Sequence, residues 1–464
     1  MKFGSFLKAR LEHTRNARRS APEIDALQQK KFRRLAAYAG EHSPYYRDLI
    51  SARAIDIGTC TPTDFPPLTR TELTANFDRI VTDPQITTAG VESFLSESQN
   101  PNDRFLGKYT VISSAGTFGQ VGNFVFSPAE WARGVALFLR TFPFASRRRR
   151  IAIYGLMGGH QGGAIGASTS RRSLARLRFD SRSFDVEDPV DQVIDELNRF
   201  QPHIVSAQPT ALTELASAQL AGLLRISPQL LSLGGDALVP AERELLQRAF
   251  GTTISNHYAS AEHFAMGYGL SDDQGMYLFD DEFIFEIEEE RVLVTNLFKY
   301  TQPLIRYVMD DRLVPVNDPN PRIAFTKIRD IGGRPSPDAT FMNQFGEDRV
   351  LRSGRLAEFS VPNVERIQLR VLGKQSCHLR VKLTAGLTEE DRSEAIEQLE
   401  RWMTEIFTDA ELANVSRRIE EVRSFGGRKA RLVLLPGMLD TMTATWRSAF
   451  STGSATRTTI GKPN

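Results

Sequence analysis

Cysteine is scarce in this chain. Only Cys60 and Cys377 occur among 464 residues, far apart in sequence. They form no Cys-x-x-Cys pair and no zinc-ligand spacing, which excludes a disulfide framework and a Cys-based metal module. That scarcity points to a reducing interior compartment, and the cytoplasm is the expected location. Long apolar runs are also missing: none approaches the roughly 18 residues that a membrane span requires. So is an excess of one charge sign. The 58 basic and 56 acidic residues leave a net charge of +2, which gives no global reason to expect nucleic acid or an anionic membrane as a partner. Residues 1–21 are basic but lack the continuous apolar core of a signal peptide, and read as a short amphipathic helix.

What is present suits a globular enzyme-sized chain. Apolar residues make up 41% and charged ones 25%, enough for a sizeable core. The length exceeds the roughly 250–300 residues at which one core usually splits. The reading is a large domain over residues 1–332, a small one over 333–450 and a flexible tail over 451–464. The boundary is placed near residues 330–338, where prolines and glycines cluster. The tail is polar and rich in Ser, Thr and Gly.

Along the chain, residues 24–40 have helical spacing, ended by His42-Ser43-Pro44. Thr69-Arg70-Thr71-Glu72 has the form of a capping box and opens a second helix. From residue 151 onward, strand, loop and helix alternate. Strands are expected at 151–154, 203–207, 230–233 and 252–258, with an amphipathic helix over Val190, Val193, Ile194 and Leu197 and further helices at 211–224 and 240–250. Residues 155–166 read as a glycine-rich turn. Such alternation implies parallel strands with crossover helices, and ligands gather at the strands' C-terminal ends. An antiparallel pair follows at 283–287 and 292–294. The remainder is α+β, with strands at 367–372, 379–383 and 431–435 and an amphipathic helix at 389–406.

The segment most suggestive of chemistry is Ser113-Ser114-Ala115-Gly116-Thr117-Phe118-Gly119-Gln120-Val121-Gly122, after a β-like run. Glycines let a backbone turn tightly beside a bulky anion, and successive N–H groups and hydroxyls can form a nest for phosphate oxygens. It has no lysine and matches neither the phosphate loop of nucleotide hydrolases nor the dinucleotide fingerprint. A Ser/Gly surface loop is the competing reading. The arginines at 147–150 are either a solvated loop or a contact for a phosphate-bearing cosubstrate. His160 is either a substrate contact or a hydrogen-bonded loop histidine.

Five segments, in this order, resemble the adenylate-forming enzymes of the phenylacetate–CoA ligase type. They are Ser114 to Gly122; Gly234-Gly235-Asp236-Ala237-Leu238; Tyr258-Ala259-Ser260-Ala261-Glu262; Leu304-Ile305-Arg306-Tyr307-Val308-Met309-Asp310-Asp311; and Gly333-Arg334. The resemblance spans roughly residues 27–435. It implies a large α/β domain with mixed and parallel sheets and a small mobile α+β domain. It also implies an ATP-dependent activation of a carboxylic acid as acyl-AMP, with pyrophosphate released and the acyl group passed on. CoA is the expected acceptor, with an amine or a carrier protein as the alternative.

The resemblance assigns roles. Ser114, Gly116, Thr117 and Gly119 would hold the β- and γ-phosphates. Glu262 would hold Mg²⁺, which favours hard oxygen donors. Gly235 and Asp236 would pass beside the adenine, Tyr258 would stack on it, and Ala259 and Ser260 would continue that wall. Asp311 would accept hydrogen bonds from the ribose, and Arg334 would open the hinge. Gly427-Arg428-Lys429-Ala430-Arg431 resembles the family's Gly-Lys-x-Arg and nominates Lys429 as the cation at the α-phosphate, with Arg428 as its rival. Tyr154, His160 and His257 are guesses for the substrate pocket. Phe118, Val121, Ala261 and Asp310 depart from the family pattern. They motivate a second reading, in which the fold is kept as a non-catalytic nucleotide-binding scaffold. Assembly is open, a homodimer being one expectation, and the acid is unassigned.

Overall fold

The structure, a computed structural model, describes residues 3–113, 122–141, 148–155, 157, 159–160, 162–172, 179–186, 188–235, 238, 240–270, 275–289, 291–319, 321–329, 338–352, 355–356, 359, 361–384, 386–422 and 433–434. The chain divides into two compact units. The first takes Met1–Ala115 and Val121–Pro335; the second takes Ser336–Phe425 and the final strand.

Two long helices begin the first unit, Phe3–Asn16 and Ala21–His42. The second is longer at both ends than its periodicity suggests, because Ser20 and Glu23 close a capping box ahead of Ile24. It stops at Ser43, whose side chain then caps the next helix, Pro44–Ala52. The Thr69/Glu72 box is present as read, and it starts helix Arg70–Ala75.

Among the described residues the main sheet has eight strands. Phe179–Asp185, Arg149–Gly155, Ile204–Ala207, Leu230–Gly234 and Thr253–Ser260 run parallel in that spatial order. Phe264–Leu270, Met276–Leu278 and Lys327–Ile328 then extend the sheet antiparallel. The central strands Ile204–Ala207 and Leu230–Gly234 are mostly apolar and buried, as strands covered by crossover helices are, while the edge strand Phe179–Asp185 is largely polar. The helices Val190–Phe200, Pro209–Leu220 and Pro240–Phe250 are those crossovers. One expectation fails: the glycine-rich stretch at 155–166 is not one turn, because Gly162–Arg172 is a helix. Its small residues suit close helix packing there, with Ala164, Ile165 and Ala167 buried.

Apart from this sheet, Phe283–Ile287, Val292–Asn296 and Tyr307–Met309 make an antiparallel sheet. A hairpin joins Thr110–Ser113 to Asn123–Phe126. Its first strand leads into the glycine-rich segment.

The second unit has its own core. Strands Val364–Gly373 and Ser376–Leu383 pair antiparallel, flanked in parallel by Val433–Leu434 and Ser416–Glu421. Helix Glu389–Asp409 lays Ala395, Leu399, Met403 and Ile406 on them. A hairpin, Ala339–Met342 with Asp348–Leu351, completes the unit. The fold is thus a mixed-sheet α/β unit followed by a smaller α+β unit, as the resemblance implies.

Candidate active site

Because the five strands are parallel, their C-terminal ends share one edge of the sheet. Tyr154, Gly235 and the run Tyr258 to Glu262 all sit on that edge or just past it. Gly235 has φ +91°, and a Cβ there would stand 3.3 Å from Nε2 of Gln208. Glycine is therefore favoured by the backbone conformation, while the end of the Gln208 side chain leaves little spare room beside it. The strand of Tyr258 carries a register shift between Tyr258 and Ala259. Such a bulge re-aims side chains, here at the sheet edge.

Tyr258 and Asp311 come from different sheets and meet. The Tyr258 hydroxyl donates to Oδ2 of Asp311 at 2.7 Å, both residues being buried. Ser260 Oγ accepts from the backbone N–H of His263 at 3.2 Å and closes the turn that carries Glu262.

Glu262 is buried, and its Oε1 lies 2.6 Å from Nη2 of Arg70. Arg70 is the first residue of the helix that the Thr69/Glu72 box opens. Lys299 approaches from the other side. It is fully buried, its Nζ donates to the backbone oxygen of Glu262 at 3.3 Å, and it stands 3.4 Å from the ring centroid of Phe126. Burial pushes the Lys299 ammonium down to about 7, against the opposing pull of Glu130 and Glu262. Glu130 in turn accepts the backbone N–H groups of Tyr300 and Thr301 at 2.6 and 2.7 Å, fixing the segment beyond Lys299.

Arg306 adopts φ +51°, a costly conformation for a side-chain-bearing residue. It is held there from several sides. Its Nε lies 2.9 and 3.0 Å from the two Glu286 oxygens, its Nη1 donates to the Phe65 carbonyl at 2.8 Å, and its own N–H donates to Thr295 Oγ1 at 2.9 Å. Its carbonyl accepts from Leu68. A residue so over-determined sets the path of the chain toward Asp311.

The pocket guesses are placed as follows. Tyr154 is buried on its strand, and burial raises its phenol to about 12. His257 stacks on Phe138 with centroids 4.5 Å apart, and burial lowers it to about 3. His160 packs its ring 4.8 Å from Phe94, faces Ser98 Oγ at 3.3 Å, and accepts the Ser113 N–H on its carbonyl. It thus braces the strand that leads into the glycine-rich segment. Ser114, Gly116, Thr117, Gly119, Asp236, Arg334 and Lys429 lie outside the described residues.

Arg70, Lys299, Glu130 and Arg306 are absent from the site inferred from sequence. Arg70 was within reach, standing inside a recognised capping box. Arg306 stands inside the Leu304 to Asp311 segment and Glu130 closes a Ser127-x-x-Glu130 capping box, whereas Lys299 carries no local signal.

One further cluster looks ligand-like. His13, Asp281 and Glu282 bring ligand atoms within 4.8 Å of one another. Their carboxylates are already engaged by protein cations. Arg140 is bidentate to Asp281 at 2.9 and 3.1 Å; Arg133 and Lys31 reach Glu282 at 2.6 and 3.0 Å. Burial alone would raise both acids, but these cations hold them below the usual range. The cluster is a buried charge network that fastens the first helix.

Glu262 offers the donor chemistry magnesium favours, a hard carboxylate. Among the described residues Glu262 belongs to no group of three or more candidate metal ligands, so a metal there would take most of its ligands from phosphate oxygens and water. The Arg70 guanidinium is the protein group that competes for the same oxygen.

No protein-family model and no curated protein sequence matches the chain. Solved structures do. A crystal structure of 2-hydroxyisobutyryl-CoA ligase in the postadenylation state, in complex with R3-HIB-AMP, matches with TM-score 0.66 at 17% identity over 94% of each chain. The same ligase in an open conformation with 2-HIB-AMP and CoA matches with TM-score 0.58 at 18% identity, over 89% of this chain and 92% of that one. In its thioesterification state it matches with TM-score 0.56 at 18% identity over 94% of each chain. At such identity the likeness speaks for architecture, and the chain has the fold of the adenylate-forming CoA ligases.

Proposed function

We propose that the chain is an ATP-dependent ligase that activates a carboxylic acid as acyl-AMP, releases pyrophosphate and transfers the acyl group to the thiol of CoA. One observation carries the reading. Gly235, Tyr258 and Glu262 occupy the C-terminal ends of neighbouring parallel strands, and Asp311 is hydrogen-bonded to Tyr258. These are the family-like segments, in the family's order, on the fold of a ligase whose structures contain acyl-AMP species. In this reading Asp311 takes the ribose hydroxyls, and Gly235 gives the backbone room beside the base. Mg²⁺ would be held by Glu262 and by phosphate oxygens, where it would neutralise charge on the triphosphate. Lys299 and Arg70 keep Glu262 in place. Ser114, Gly116, Thr117 and Gly119 bind phosphate, and Lys429 is the cation that stabilises charge developing at the α-phosphate. The hinge at residues 330–338 and a cytoplasmic location belong to the same proposal. An amine or a carrier protein is the alternative acceptor.

The test is carboxylate-dependent exchange of labelled pyrophosphate into ATP, run on pooled aromatic, fatty, hydroxy and amino acids with Mg²⁺. Exchange in one pool, lost in Glu262→Ala and Lys429→Ala, is the expected outcome. ATP binding with silence in every pool would instead favour the non-catalytic scaffold. Adding CoA or an amine to the active pool then identifies the acceptor.

A further inference from the structure

The first helix, Phe3–Asn16, is turned inside out. Its buried residues are Ala9, Arg10, His13 and Asn16. The polar ones are each engaged beneath it. Arg10 Nη1 donates to the Leu139 carbonyl at 2.8 Å, His13 Nε2 lies 3.2 Å from Glu282 Oε1, and Asn16 Nδ2 donates to Asp281 Oδ2 at 3.1 Å. The opposite face is open, and it carries three large apolar residues beside Gly4, Lys8, Thr14 and Arg15. Phe3, Leu7 and Leu11 follow one another at i, i+4 and i+8, with 39%, 42% and 73% of their surface exposed. A helix that merely rests on a protein body does the reverse. Its outer face should be polar, so this stripe of about 12 Å is left wanting a cover.

Charge says what covers it. Lys8 and Arg15 run along one edge of the stripe. Past them, between the first two helices, opens a cavity of about 620 Å³ whose rim includes Lys8, Arg15, Lys30 and Arg34. All four are exposed, and none has a hydrogen bond or ion pair among the described residues. The acids that line the same cavity are occupied. Glu12 and Glu282 pair with Arg133, and Glu130 takes backbone N–H groups. The surface therefore offers an apolar stripe beside unneutralised cations.

We infer that this face docks on an anionic lipid surface. Phe3, Leu7 and Leu11 enter the boundary between headgroups and acyl chains, and the four cations bind lipid phosphates, the cavity receiving a headgroup. Interfacial helices combine those two features. A second copy of this chain fits less well, because a two-fold contact sets each cation cluster near its own image. The chain's near-zero net charge hides the patch, since it is local. No helix among the described residues is long and apolar enough to cross a membrane, and the proposed contact is peripheral.

The experiment is co-sedimentation of the full chain with vesicles of phosphatidylcholine alone, and of phosphatidylcholine mixed with phosphatidylglycerol. Binding to the mixed vesicles only is expected. Lys8→Glu with Arg15→Glu should weaken it more than about tenfold, since each basic residue near an anionic surface adds roughly a factor of five. Leu7→Ser with Leu11→Ser should weaken it comparably. All four side chains are exposed, so thermal unfolding of both variants should match the parent. A parent that stays in the supernatant with both vesicle types overturns the inference. So does binding that neither double variant changes. A dimer seen by light scattering and dissolved by the leucine variant would assign the face to a second copy instead. None of these readouts depends on adenylation, so the inference and the proposed function fail separately.

Discussion

Arg70 and Glu262 stand 192 residues apart in sequence, yet their side chains meet at 2.6 Å. The carboxylate is almost fully buried, whereas the guanidinium keeps about a fifth of its surface in solvent. The two ends of this pair are therefore not equivalent.

That asymmetry is measurable. Arg70→Ala takes a close cation away from a buried carboxylate and should cost about 3 kcal/mol in urea unfolding. Glu262→Gln leaves a guanidinium that can turn toward water, and should cost clearly less. The double variant should resemble Glu262→Gln. Equal losses in the two single variants would show that the pair is not the partner set described here.

Lys299 makes stability depend on pH. Its ammonium titrates at about 7 when folded and at 10.5 when free. Below pH 7 both states hold the proton, and the full penalty of burying the charge is present. Between 7 and 10.5 the unfolded state binds more protons, so stability from this group rises with pH. The slope is up to about 1.4 kcal/mol per pH unit. Lys299→Met removes the effect. Unfolding free energy of the parent minus that of the variant should climb from pH 7 to pH 9.5. A flat difference would refute the assignment.

The Tyr258 hydroxyl and Asp311 should separate in nucleotide binding. Tyr258→Phe deletes one hydrogen bond and should reduce stability by about 1 kcal/mol, with little change in ATP affinity. Asp311→Ala should weaken ATP by more than about tenfold in calorimetry, because charge-assisted hydrogen bonds to a ribose are the stronger kind. Equal ATP affinity in parent and Asp311→Ala would remove this residue from the site.

Lys429→Ala should leave ATP affinity close to that of the parent while lowering pyrophosphate exchange by about 10²–10³. If Arg428→Ala has that effect and Lys429→Ala does not, the catalytic cation is the neighbouring arginine.

Local chemistry was legible in the sequence; distant pairing was not. The Thr69/Glu72 cap and the crossover helices follow from patterns within a few residues. Strand Phe264–Leu270 escaped because Gly267 and Gly269 interrupt its apolar pattern. Those glycines are there for space: a Cβ at 267 would stand 2.8 Å from the Tyr277 carbonyl, and one at 269 only 2.3 Å from that of Gly275. Helix Gly162–Arg172 is missed because its glycines read as turn punctuation, although a Cβ at Gly163 or Gly166 would meet open space and the buried Ala164, Ile165 and Ala167 hold the helix in place. In the candidate site, Tyr258, Gly235 and Asp311 are nominated through motif order, and the fold brings Tyr258 and Asp311 into hydrogen bond. Lys299 is not nominated, since an isolated charge in an apolar run shows its partner only after folding, and Glu130, which closes a capping box with Ser127, shows its hold on Tyr300 and Thr301 only in the fold. The first helix was recognised as amphipathic, but which side faces inward depends on Asp281 and Glu282, more than 260 residues away.

Glu130 has a last consequence. Its two oxygens accept the amides of Ser127, Tyr300 and Thr301, which begin a helix and end a loop in separate parts of the chain. Tyr300 and Thr301 share Oε1 and Ser127 takes Oε2, so a departure of the whole carboxylate exposes all three N–H groups at once. In hydrogen exchange they should open together, on one clock. Each such opening would also loosen the backbone beside Lys299, and with it the grip on Glu262. The lifetime of the arranged site is then set by how often one carboxylate lets go.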